Sequence, residues 1–213
     1  MKKVLKYLVL SILAGIMIGI GGTVYLSLEN KALGAFFFAI GLFAIVSNGF
    51  NLYTGKVGYI VENNWRYLIE VLVTIVGNFI GAFFVGFILK FTRIYVAINE
   101  KAQGLCQVKL DDNIISILIL SFFCGILMYL AVNGYKVIQD AVGKNLGVFL
   151  GVIVFILSGF EHSVANMYYF SVASMWSLKA FGYLLIMILG NGLGGILIPT
   201  CNILKTKLDS TKK

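Results

Sequence analysis

Six apolar segments fill most of this chain, and any fold it adopts must place them out of water. They run from Val4 to Leu28, Lys31 to Ser47, Trp65 to Phe91, Ile114 to Val132, Gly147 to Leu157 and Leu178 to Leu204. A hydrocarbon core needs about 20 residues of helix to cross it, so these segments read as membrane spans. Composition agrees. Of the 213 residues 60% are hydrophobic and only 12% charged, with a mean hydropathy of +0.95. That leaves too little polar surface to coat a soluble globule, and it excludes a disordered chain. Pro occurs once and the 24 Gly show no triplet period, so a collagen-like chain is excluded as well. The expectation is an all-α integral membrane protein forming one domain over residues 1–213.

Two spans are followed by segments that do not continue as helix. After the second comes Asn48-Gly49-Phe50-Asn51-Leu52-Tyr53-Thr54-Gly55-Lys56 and a short apolar piece to Val61. After the fifth comes Ser158-Gly159-Phe160-Glu161-His162-Ser163, then Val164 to Val172. Both read as helices broken inside the membrane. Lipid cannot satisfy the unpaired N–H and C=O groups of a break, so such backbone must be buried in protein or line a wet cavity.

The breaks belong to an internal repeat. Gly49-Phe50 is followed by Trp65 and then by Gly77, Asn78 and Gly81; Gly159-Phe160 is followed by Trp176 and then by Gly190, Asn191 and Gly194. Each copy, over approximately residues 1–95 and 110–207, holds three spans. An odd number makes the second copy enter the membrane upside down. Interrupted segments at matching places in two inverted halves point to a permeation site at the bilayer midplane. The Gly77/Gly81 and Gly190/Gly194 pairs have the spacing that lets helices pack closely.

The net charge of +8 follows topology rather than a nucleic-acid partner, because the basic residues sit at the ends of apolar runs. Eleven of them fall on the side of both termini, among them Lys3, Lys56, Lys136 and Lys205, and six fall on the other, which accounts for all 17. The positive-inside rule then makes both termini cytoplasmic, in a plasma membrane. Lys2, Lys3 and Lys6 ahead of an apolar run resemble a signal peptide, but the run reaches Leu28 without a small-residue cleavage site and is expected to remain as the first span.

Few residues carry chemistry. His162 is the only histidine, and it lies in the second break. An ionisable side chain at this depth costs about 2.5 to 3.5 kcal/mol on insertion scales and therefore faces a cavity or a partner. Two readings are open: a donor to a permeating solute, or a neutral imidazole that holds the broken backbone. Glu161 is expected to cap the half-helix that follows. Thr54 and Asn51 offer a hydroxyl and an amide in the first break, and Asn166 is placed to fix the backbone of its own half. Cys106, Cys124 and Cys201 lack ligand spacing and read as free thiols, with no metal implied. No catalytic set, phosphate loop or cofactor motif is present, so the chain is not expected to be an enzyme.

The string Gly159-Phe160-Glu161-His162 with Ala165-Asn166-Met167, together with Leu52-Tyr53-Thr54, resembles the formate/nitrite transporter family, and the likeness extends over nearly the whole chain. It implies an aquaporin-like protomer assembled as a homopentamer in the lipid bilayer, with one pore per protomer. His162 and Thr54 are implied to line the lumen. Phe38, Leu42, Leu52, Tyr53, Met128 and Phe155 are implied to form constrictions, and Lys109, in the loop before the fourth span, to mark the outer vestibule. Tyr53, where formate-type members carry Phe, and Gly125, where they carry Asn, depart from the formate pattern. The chain looks most like the hydrosulfide channel branch. The implied permeant is a small monovalent anion of a weak acid or its neutral acid form, hydrosulfide first, with formate or nitrite transport as the alternative. A neutral-solute pore of aquaporin type is a further rival, though the only proline, Pro199, lies outside both breaks. A membrane scaffold with no permeation path is the last.

Overall fold

A computed structural model describes residues 2–210. It is all-helical: α1 (Lys2–Ser27), α2 (Lys31–Asn48), α3 (Tyr53–Lys56), α4 (Arg66–Ile88), α5 (Tyr95–Asp111), α6 (Ile114–Val137), α7 (Ala141–Leu157), α8 (Ser163–Ala173) and α9 (Leu178–Ser210), with 3₁₀ turns over Val57–Glu62 and Leu89–Phe91. Among the described residues five helices are long and apolar enough to cross a membrane, namely α1, α2, α4 with its 3₁₀ extension, α6 and α9; α7 is a shorter apolar helix. Large apolar side chains such as Leu72 and Leu185 stay outward and exposed, as suits a lipid or subunit environment.

The ends of the elements follow their caps. Asn30 caps α2 by accepting from Ala32 and Leu33 N–H at 3.0 Å each. Asp140 accepts from Gly143 N–H and starts α7 six residues ahead of the expected Gly147. The stretch before the fourth span, expected as a loop, is the 17-residue helix α5, so Lys109 stands in a last helical turn. Its polar character hid it from a reading built on apolar runs.

Helix α1 packs most extensively on α4, and α6 on α9, through small residues. A Cβ on Gly81 would stand 2.1 Å from the Ile12 carbonyl oxygen, and one on Gly194 would stand 1.9 Å from that of Phe122. Gly77 faces Ser11 in the first pair as Gly190 faces Ser121 in the second. Helix α8 lies at the centre, with every residue from Ser163 to Ala173 buried.

Candidate functional site

Both breaks form where the sequence places them, and by the same bonds. Gly49 and Gly159 adopt φ of 68° and 71°, a left-handed conformation that glycine reaches without steric cost. Phe50 N–H then donates to Ile45 O, and Phe160 N–H to Phe155 O, each at 2.9 Å. One residue on, Asn51 N–H reaches Leu10 O and Glu161 N–H reaches Leu120 O, at 3.2 and 3.3 Å. The chain stays extended through Leu52 and His162 and resumes helix at Tyr53 and Ser163.

A buried asparagine from the neighbouring helix clamps each break. Asn78 Nδ2 donates to Ser11 O and Asn51 O while its Oδ1 accepts from Tyr53 N–H, all at 2.8 Å. Asn191 Nδ2 donates to Ser121 O and Glu161 O while its Oδ1 accepts from Ser163 N–H, again all at 2.8 Å. Each amide thus satisfies backbone groups that lipid would leave unpaired. Sequence reading took the Gly-Asn recurrence as packing alone and missed these clamps; the signal was the asparagine itself, a polar residue recurring in two apolar runs.

The clamped breaks bring Thr54 and His162 together, 0% and 2% exposed, with Thr54 Oγ1 2.9 Å from His162 Nε2. His162 Nδ1 accepts from Ala165 N–H at 3.1 Å, so this nitrogen carries no proton. The ring is therefore the neutral tautomer with its proton on Nε2, which donates to Thr54 Oγ1 and leaves the Thr54 O–H as a second donor. His162, not Glu161 as expected, provides the side-chain cap of α8. The Glu161 carboxylate is instead held by Lys109 Nζ, at 2.7 and 2.8 Å from its two oxygens, and accepts from Asn166 Nδ2 at 2.8 Å. The side chains of Lys109 and Glu161 are only 13% and 6% exposed. Lys109 is thus a buried partner rather than a solvated loop charge.

Apolar side chains surround the Thr54–His162 pair. Phe155 stacks on the imidazole with centroids 5.4 Å apart, and Phe38 meets Phe155 edge-on at 5.9 Å. Leu42, Leu52 and Met128 are buried in the same core cluster. Other expected residues are turned elsewhere. Tyr53 Oη donates to Ile188 O of α9 at 2.7 Å. The Asn51 amide donates to Tyr7 O at 3.4 Å. A Cβ on Gly125 would stand 2.3 Å from Asn191 O, so that position is a helix contact with no room for a polar side chain. The two repeat-marking tryptophans also differ: Trp65 is 69% exposed, while Trp176 packs among Phe79, Phe170 and Phe181. Cys106 and Cys124 are buried and free, and Cys201 is exposed.

Fold and site together define a helical multi-pass membrane protein in which two interrupted helices present a histidine and a threonine to each other inside an apolar shell. The chain matches the formate/nitrite transporter family over residues 1–204 and belongs to it. Among its relatives, the formate-nitrite transporter of Plasmodium knowlesi (strain H) is 28% identical, over 92% of this chain and 75% of the relative. The uncharacterized transporter YrhG of Bacillus subtilis (strain 168) is 32% identical, over 78% of this chain and 68% of the relative. A solved structure described as a pentameric formate channel with formate bound superposes with a TM-score of 0.82 at 25% identity, covering 97% of this chain and 98% of that one.

Proposed function

We propose that the chain is a channel for small monovalent anions of weak acids, hydrosulfide first. The single observation that carries this reading is the neutral His162 bonded to Thr54 between apolar walls. Burying an unpaired ion in such a passage costs far more than burying a neutral molecule. A weak-acid anion escapes much of that cost when the two donors bond it or when it crosses in its protonated form; chloride has no such form in this pH range. On this reading Phe38 and Phe155 form one dry constriction and Leu42, Leu52 and Met128 another. Asn166 keeps the break rigid through Glu161 and the His162 carbonyl. Six spans in two inverted three-span repeats, over approximately residues 1–95 and 110–207, five protomers with a pore in each, and cytoplasmic termini complete the reading. The matched bonds of the two breaks support the repeat, and the pentameric neighbour supports the assembly.

Hydrosulfide is preferred because Tyr53 and Gly125 add no polar group beside Thr54 and His162. A pair of donors suits a solute with one acceptor atom. The second reading, formate or nitrite, is favoured by the formate channel whose structure is so similar. Purified protein in liposomes decides between them. Hydrosulfide influx faster than formate and nitrite, with chloride impermeant, is expected. Faster formate reverses the preference, and chloride flux equal to hydrosulfide refutes the weak-acid mechanism.

A further inference from the structure

We propose that the mouth on the side of the termini holds an anion-binding pocket built on Lys56 and Lys136, and that this pocket supplies the charge that recruits the permeant. A cavity of about 140 Å³ lies against the first break, lined among others by Gly49, Leu52, Gly55, Lys56, Val132 and Lys136. Leu52 links it to the site, being only two residues from Thr54 and buried at 2% exposure. Its position relative to the termini follows from Lys56, whose Nζ stands 5.1 Å from the ring centre of Tyr7 in the first turns of α1.

The two ammonium groups differ from the lysine at the opposite end. Lys109 is neutralised by Glu161. The ion pairs among the described residues are Lys3–Glu70, Lys101–Glu29 and Lys109–Glu161, and neither Lys56 nor Lys136 joins them. Aromatic faces position both instead: Lys136 Nζ lies 3.8 Å from the centre of the Tyr59 ring. An aromatic face orients a cation without cancelling its charge. The carboxylates on this side are Glu70, already bound to Lys3, and the exposed Glu62. Two uncancelled positive charges around one small cavity repel each other, and an anion seated between them relieves that repulsion. A charged recess with low-dielectric walls raises the local concentration of counter-ions about tenfold or more. The ligand class is a small monovalent anion, since a volume of this size holds a few heavy atoms and some water.

This inference rests on the anion-channel reading, and its test separates the two. Wild-type protein in liposomes is acylated with an amine-reactive reagent in 10 mM salt, with and without formate, and each lysine is quantified by mass spectrometry. Formate is expected to slow labelling of Lys56 and Lys136 at least about threefold while Lys31 and Lys179 are unaffected. The protection is expected to vanish in 1 M salt, where the Debye length falls from about 30 Å to about 3 Å. In parallel, the double variant Lys56→Gln/Lys136→Gln is expected to lower formate and hydrosulfide flux about tenfold in 10 mM salt and less than twofold in 1 M salt, with Lys56→Arg/Lys136→Arg restoring it. Labelling unchanged by formate at either salt, or flux of the Gln variant equal to wild type in 10 mM salt, overturns the proposal. Protection without anion flux in wild type refutes the channel and leaves the pocket standing; anion flux without protection does the reverse. If the Gln variant does not assemble, labelling of the wild-type protein decides alone.

Discussion

Replacing Asn191 by Leu removes one side chain of nearly constant volume and tests whether the clamp, rather than packing, holds the second break. Three bonds are lost: to Ser121 O, to Glu161 O and from Ser163 N–H. Ser121 lies in mid-helix, where its carbonyl keeps an intrahelical partner, so its loss counts little. Glu161 O and Ser163 N–H lie in the break and have no helical neighbour to turn to. A buried polar group left unsatisfied costs about 1 to 3 kcal/mol, which places the substitution at about 2 to 6 kcal/mol. Asn191→Asp is the graded control, because a carboxylate still accepts from Ser163 N–H while losing both donations. The assay is the unfolding midpoint of detergent-purified protein followed by tryptophan emission, for which Trp176 in the aromatic cluster beside α8 is a suitable reporter. The expected order is wild type, then Asp, then Leu, with Asn78→Leu destabilising to a similar degree because its three bonds are the counterparts. An Asn191→Leu protein as stable as wild type refutes the claim that these asparagines satisfy the breaks.

Three further outcomes follow from the same geometry. His162→Phe is expected to abolish weak-acid flux in liposomes, and His162→Asn to retain part of it, because the amide still donates; full flux through an assembled Phe variant removes the histidine from the mechanism. Lys109→Gln leaves the Glu161 carboxylate buried with only Asn166 as donor, and breaking a buried pair costs about 3 to 5 kcal/mol; thermal stability is expected to fall and to recover in Lys109→Gln/Glu161→Gln, whereas an unchanged midpoint with flux lost only at low salt returns Lys109 to the role of a vestibule charge. Gly194→Ala, which drives a methyl into the Phe122 carbonyl, is expected to prevent assembly judged by size-exclusion profile, while Gly104→Ala, with open space at that position, is expected to be neutral.

How far the sequence could be read depended on whether a feature announced itself by composition or by contact. The spans and both breaks were legible because apolar runs and Gly-Phe punctuation are local, and helix α2 spans Lys31–Asn48 almost as expected. Helix α5 was not legible, since it has no apolar run and is held in place by particular partners. Its Lys101 pairs with Glu29 at the end of α1, and its Lys109 with Glu161. Family resemblance brought Thr54 and His162 into one site, but it carried no information on what each nitrogen does. That came from Ala165 N–H, whose bond to Nδ1 fixes the tautomer. Distribution of charge was hardest of all. Counting lysines by side treats every ammonium alike, whereas the fold cancels Lys109 with a carboxylate drawn from another helix and leaves Lys56 and Lys136 against tyrosine rings. The end of the pore that attracts an anion is therefore a property of which lysines find partners, and no count along the chain contains it.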